Sequence, residues 1–158
     1  MSGVLVGGNI EEIVKNDGVY ASVTVGRSMR PLFKTHRDMV ILEKCTELPE
    51  KYDVVLYRTG EKYILHRIIG IDNEKKIFII RGDNTYKKEY IPFERIIARL
   101  VTFKRKGKHG SVTDRGYRIY TRVWNFIYPV RFVFHAFRTA AVRLYRLIFK
   151  KNNSTQCK

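Results

Sequence analysis

Three side chains in this sequence could together carry acyl-transfer chemistry: Ser28, His66 and Asp83. Ser28 lies in Gly26-Arg27-Ser28-Met29-Arg30-Pro31. There a glycine loosens the backbone and a proline closes the loop, so the hydroxyl is presented rather than packed. A serine hydroxyl is a poor nucleophile until a neighbouring base takes its proton. His66 is the candidate base, in Tyr63-Ile64-Leu65-His66-Arg67-Ile68-Ile69-Gly70. Strand alternation sets it on one face with Ile64 and Ile68, and sets Leu65, Arg67 and Ile69 on the other. An imidazole with an ordinary pKa of about 6.5 is mostly neutral at pH 7 and can accept the serine proton. Asp83, in Arg81-Gly82-Asp83-Asn84, supplies a carboxylate that could orient the histidine or stabilise its cation. Each residue also has a plain structural role available, as turn serine, hydrogen-bonded core histidine or turn aspartate. Spacing alone does not bring the three together.

The elements that must position them read as mainly β. Residues 9–16 predict a short amphipathic helix, with Ile10, Ile13 and Val14 on one side and Asn16-Asp17-Gly18 as its stop. Residues 19–25 predict a strand leading into the serine loop. Asp38-Met39-Val40-Ile41-Leu42 and Asp53-Val54-Val55-Leu56-Tyr57-Arg58 read as buried strands. Thr59-Gly60-Glu61 turns the second of these back into residues 62–71 as a hairpin. Residues 76–81 and 96–103 predict further strands, with a helical turn over 92–95 after the proline. Residues 1–104 are thus the expected β domain. The basic, glycine-bearing Lys104-Arg105-Lys106-Gly107-Lys108-His109-Gly110-Ser111 predicts a linker over 105–116. Residues 117–151 predict a helical segment interrupted at Pro129, and residues 152–158 a polar tail.

In that segment Val133, Phe137, Ala140, Leu144, Leu147 and Ile148 recur at three- and four-residue steps. Arg131, His135, Arg138, Arg143, Arg146 and Lys150 take other positions. A moderately apolar helix with a basic face suits the surface of an anionic membrane, and equally suits packing on the β domain. The formal charge of +16 calls for an anionic partner, which is a lipid surface, an acidic peptide or, less favoured, nucleic acid. No uncharged apolar run reaches the ~18 residues of a spanning helix. No signal peptide is expected, since Glu11, Glu12, Lys15 and Asp17 interrupt the first apolar stretch. Cys45 and Cys157 are too few and too ill-placed to suggest a disulfide framework, and a reducing compartment is the simpler expectation. His36, His66, His109 and His135 show no metal-ligand spacing, so no metal is expected.

The order of these elements carries a resemblance. The Gly-x-Ser-Met-x-Pro loop, two strands introduced by Asp38 and Asp53, the His66-Arg67-Ile68-Ile69-Gly70 strand and the Gly82-Asp83-Asn84 turn resemble the type I signal peptidases. The wider superfamily of that family includes the self-cleaving LexA-type repressors. The resemblance covers about residues 10–103. Most bacterial members carry a lysine base where this chain has His66, which is similar to the archaeal and endoplasmic-reticulum type. The resemblance implies a coiled β domain and a serine endopeptidase without cofactor. It implies that Ser28 is the nucleophile and His66 the general base, with Asp83 acting directly or holding its loop. Met29 and Pro31 are the implied substrate-binding residues. Departures are Arg30 in the variable position after Ser-Met, Glu89 as a substitute for a further aspartate, and no N-terminal membrane anchor. The basic C-terminal segment lies beyond the resemblance.

Two functions of different class follow. One is a peptidase that cleaves a leader or precursor peptide, in the cytoplasm or peripheral to the inner face of the membrane. The other is a catalytically silent β domain that binds nucleic acid or anionic membrane through its charge. The joint presence of Ser28, His66 and Asp83 favours the enzyme, because a binding module needs none of the three. A self-cleaving repressor fits less well, since only residues 1–18 precede the first strand.

Overall fold

The computed structural model describes residues 9–153, with side chains except those of Leu144 and residues 146–153. Cys157 and most of the expected polar tail lie outside the described residues. The chain falls into two units, one ending at Thr121 and the other starting at Arg122.

The first unit is built on one antiparallel eight-stranded sheet. Its elements are α1 (Ile10–Asp17), β1 (Val19–Val23), β2 (Met39–Lys44), β3 (Val54–Thr59), β4 (Lys62–Asp72), β5 (Ile77–Arg81), β6 (Glu89–Pro92), β7 (Ile96–Arg105) and β8 (Lys108–Ser111). One turn of 3₁₀ helix, Phe93–Arg95, joins β6 to β7. The strand order is β1-β2-β7-β3-β4-β5-β6, and β8 pairs with β7. The mainly β expectation therefore holds.

The sheet buries both faces, which is why β3 and β4 read as nearly unbroken apolar runs. One face carries Val55, Tyr57, Ile64, Ile68, Phe78, Ile80 and Ile91. The other carries Val40, Leu42, Leu56, Leu65, Ala98 and Leu100. That larger core is completed by Ile10 and Val14 of α1 and by Met29, Leu32 and Phe33 from the loop after β1. Helix α1 stops at Gly18, which takes φ 75° and donates its N–H to the Val14 carbonyl at 3.1 Å.

Two expectations change. The stretch expected to be a linker is instead a hairpin, in which β7 turns into β8 through Lys106 and Gly107 at φ 51° and 81°. Two consecutive positive φ values mark a type I′ turn, whose twist matches that of the strands it joins. Charged residues suit β8, which lies off the main strand order beside β7, because they discourage edge-to-edge pairing. The compact unit also runs past residue 104, through the first half of α2 (Arg115–Phe126), because Arg67 binds Tyr117 and Thr121. The helical break comes at Ile127, before α3 (Tyr128–Asn153), with Pro129 in the first turn of α3 where its missing N–H costs nothing.

Candidate active site

Strand register explains how His66 and Gly82 meet. In the β4–β5 pair Arg67 stands opposite Arg81, so the same register continued one residue sets His66 opposite Gly82. Opposed residues share a face, and Gly82 has no side chain to fill its share. Ser28 occupies that room. A Cβ on Gly82 would lie 2.9 Å from His66 Nε2, 3.0 Å from Ser28 Cβ and 2.8 Å from the Ser28 carbonyl oxygen. Ser28 and His66 therefore flank one point, and both are almost closed to solvent.

The serine loop is held there from several sides. The Ser28 carbonyl accepts the Asn84 N–H at 2.7 Å, and Asn84 Nδ2 donates to the Arg27 carbonyl at 3.3 Å. Gly26 takes φ 97°, a left-handed conformation that glycine adopts without strain. The Arg30–Pro31 peptide is cis, and Pro31 is exposed. Met29, expected against substrate, is instead buried in the larger core and anchors the loop from beneath. Asp38 closes the far end. Its carboxylate accepts from the Lys34 N–H at 2.8 Å, the Lys106 N–H at 3.1 Å, and Arg37 Nε and Nη2 at 2.7 Å each. Burial works against the charge of Asp38, but these donors outweigh it and hold its pKa below the ordinary value.

His66 is oriented from the side away from Ser28. Its Nδ1 lies 3.1 Å from the Tyr57 hydroxyl and 3.5 Å from Glu89 Oε1. The Tyr57 hydroxyl also lies 2.8 Å from Glu89 Oε2, to which it donates. A phenol has one hydrogen. If Tyr57 gives it to the carboxylate, the imidazole must be the donor on this side, its Nδ1–H shared between the phenol oxygen at 3.1 Å and Glu89 Oε1 at 3.5 Å. The neutral ring then carries its hydrogen on Nδ1 and keeps the Nε2 lone pair free. Nε2 is buried and has no hydrogen-bond partner among the described residues. It is the nitrogen that faces Gly82 and Ser28.

The charges fit this arrangement. The hydrogen bond from His66, against the opposing effect of burial and with help from Tyr57, holds the Glu89 carboxyl below its usual range. Burial, then the Glu89 carboxylate, pushes the Tyr57 phenol well above its usual range, so it stays protonated and keeps donating.

Asp83 has a different task. Alternation continued past Arg81 turns Gly82 toward His66 and Asp83 toward the opposite face, where Arg67 lies. Arg67 Nε and Nη2 donate to the two Asp83 oxygens at 2.8 Å each, and the Tyr120 hydroxyl donates to Oδ2 at 3.0 Å. Arg67 Nη1 also reaches the Tyr52 carbonyl at 2.9 Å and the Tyr117 hydroxyl at 3.1 Å. Burial opposes the Arg67 charge, but Asp83 outweighs it and raises the pKa further. The carboxylate beside His66 is thus Glu89, and Asp83 fixes the turn that carries Gly82.

Tyr57 escaped notice in the sequence because its link to His66 is diagonal across β3 and β4, with Val55 opposite His66 and Tyr57 opposite Ile64. Glu89 enters through β6, where it stands opposite Ile80 on the face of Ile68 and His66. A cavity of about 410 Å³ elsewhere in this unit is lined by Leu32, Phe103, Lys106, His109, Tyr117 and Tyr120, and neither Ser28 nor His66 lines it. Among the described residues no group of His, Cys, Asp and Glu has the arrangement of a metal site. No protein-family model matches the chain, and no curated protein matches it in sequence.

Proposed function

We propose that this protein is a serine endopeptidase of the signal-peptidase type, which cleaves a leader or precursor peptide by a Ser28–His66 mechanism. The observation that carries the proposal is that Ser28 and the unpartnered His66 Nε2 both border the empty side of Gly82. The Ser28 hydroxyl attacks the scissile carbonyl carbon while Nε2 takes its proton. The imidazolium then returns the proton to the leaving amine, and the peptide C–N bond breaks to leave an acyl-enzyme on Ser28. Water, deprotonated by the same nitrogen, releases the second product. Tyr57 and Glu89 hold the ring in the tautomer this requires and stabilise its cation. Substrate is expected to bind extended along a strand edge, as peptides commonly do on β domains. A purely binding domain would need neither the free Nε2 nor the Tyr57–Glu89 support behind it.

The same reading sets the second unit on an anionic membrane surface. No described helix is long and apolar enough to cross a membrane. From residue 115 onward the chain has seven arginines and three lysines and no acidic residue, so this stretch carries ten of the sixteen net charges. In α3, Val130, Phe134 and Phe137 form an exposed stripe at four- and three-residue steps, and Arg131, His135 and Arg138 form the neighbouring one.

A proteome-derived peptide library incubated with wild type or Ser28→Ala, with products read by mass spectrometry, tests the peptidase. New termini that require Ser28 are expected. Identical product sets from the two proteins contradict the assignment.

A further inference from the structure

The serine loop carries two cations that no carboxylate among the described residues balances. Arg27 precedes Ser28 and is exposed, and Arg30 follows two residues later and is half-buried. Neither forms an ion pair among the described residues, although Arg37, Arg58 and Arg67 of the same unit do. Arg30 is the more telling of the two. Its Nε is shielded from solvent and has no acceptor among the described residues, one of only two such buried side-chain atoms there. The other is His66 Nε2. A shielded guanidinium donor without an acceptor costs free energy, and it is retained at a site where an incoming group supplies the acceptor. Arg105 adds positive charge, its Nη2 lying 3.4 Å from the Pro31 carbonyl oxygen. The nearby Asp38 cannot neutralise the loop, because its carboxylate is buried and already taken by Arg37 and two backbone N–H groups.

We infer that Arg30, assisted by Arg27, forms an acidic-residue subsite, so that the preferred substrates are peptides with Asp or Glu next to the scissile bond. The inference rests on the peptidase reading of Ser28. An extended peptide advances about 3.3 Å per residue, so an arginine two positions from the nucleophile reaches side chains within roughly three residues of the bond cut. A guanidinium is also the group best matched to a carboxylate, since its planar fork donates two parallel hydrogen bonds.

The test profiles cleavage of a proteome-derived peptide library by wild type, Arg30→Gln, Arg27→Gln and Ser28→Ala. Asp and Glu should be enriched within three residues of Ser28-dependent cleavage sites. For a matched pair of cleaved peptides, one acidic and one with Asn or Gln in place of the acid, kcat/KM should favour the acidic one about tenfold, the size of one charge-assisted hydrogen bond. Arg30→Gln should abolish most of that preference, bringing kcat/KM on the acidic and neutral peptides within about twofold of each other. Arg27→Gln should weaken it less, as befits an exposed charge screened by salt. Cleavage without acidic enrichment, or enrichment that Arg30→Gln leaves intact, overturns the subsite and spares the peptidase. Absence of any Ser28-dependent cleavage overturns both.

Discussion

Gly82 stands opposite His66 across β4 and β5, and the room left by its missing side chain is filled by Ser28. A methyl group there would meet His66 Nε2 at 2.9 Å and Ser28 carbonyl oxygen at 2.8 Å, and neither the loop backbone nor the buried ring can yield without separating the pair. Gly82→Ala should therefore lower kcat/KM by about 10²-fold, the cost of misplacing reacting groups by roughly 1 Å. The variant should keep its β-sheet circular dichroism. Activity near the wild-type level would mean that Ser28 and His66 need not share this point.

Tyr57 and Glu89 should matter through His66. Tyr57→Phe and Glu89→Gln should each reduce kcat, and the double variant should lose less than the product of the two effects, because both act on one ring. The pH profile separates the groups. If neutral His66 is the base, kcat/KM falls as pH drops through the range where histidine titrates, between about pH 8 and 5. Glu89, held below the usual glutamate range chiefly by the hydrogen bond from His66, stays ionised throughout that window. Its contribution to stability is present above the unfolded glutamate pKa of about 4.3 and is lost only as pH falls through the lower folded value. A flat profile from pH 5 to 8 would remove His66 from the base role.

Asp83 should act on stability first. Asp83→Asn leaves the fully buried Arg67 charge without its counter-ion, and removing one partner of such a pair costs about 3–5 kcal/mol. Its denaturation midpoint should drop sharply. Glu89→Gln, whose site is partly exposed, should lower the midpoint far less than Asp83→Asn while slowing cleavage. The reverse pattern would return Asp83 to direct service of His66.

Liposome co-sedimentation examines the second unit. Binding should need anionic lipid and weaken as salt shortens the Debye length below about 8 Å. Arg131→Gln, Arg138→Gln and Arg143→Gln combined should reduce it markedly, at roughly 1 kcal/mol per charge near the surface. Phe134→Asp with Phe137→Asp should reduce it too. Truncation after Gly116 is the wrong control, because it removes Tyr117, Tyr120 and Thr121 from Arg67 and Asp83. Equal binding to neutral and anionic vesicles would contradict the electrostatic account.

Much of the fold was legible because its strands bury both faces, and long runs such as 54–57 and 63–68 stand out in any sequence. The turns at Gly18 and Thr59-Gly60-Glu61 also announce themselves by residue type. Two strands did not. The four residues of β6 include Pro92, which suits an edge strand but argues against strand in a sequence, and β8 is masked by its lysine, histidine and glycine. Without β6, Glu89 was legible only as a substitute for a further aspartate, so it could not be chosen over Asp83 as the carboxylate beside His66. The choice turns on which face each residue takes, and a shift of one residue reverses it. Ser28 and His66 were legible as candidates by type. Their meeting depends on the Asn84 N–H to Ser28 carbonyl bond and on the β4–β5 register, neither of which is local in sequence.

The central claim is that His66 takes the proton of Ser28. It is tested most directly by kcat/KM of His66→Ala, Ser28→Ala and the double variant on one peptide that wild type cleaves. The account predicts a loss of about 10²–10⁴ for His66→Ala, the worth of general-base catalysis, and no further loss when Ser28→Ala is added to it beyond that of Ser28→Ala alone. His66→Ala within about tenfold of wild type would contradict it.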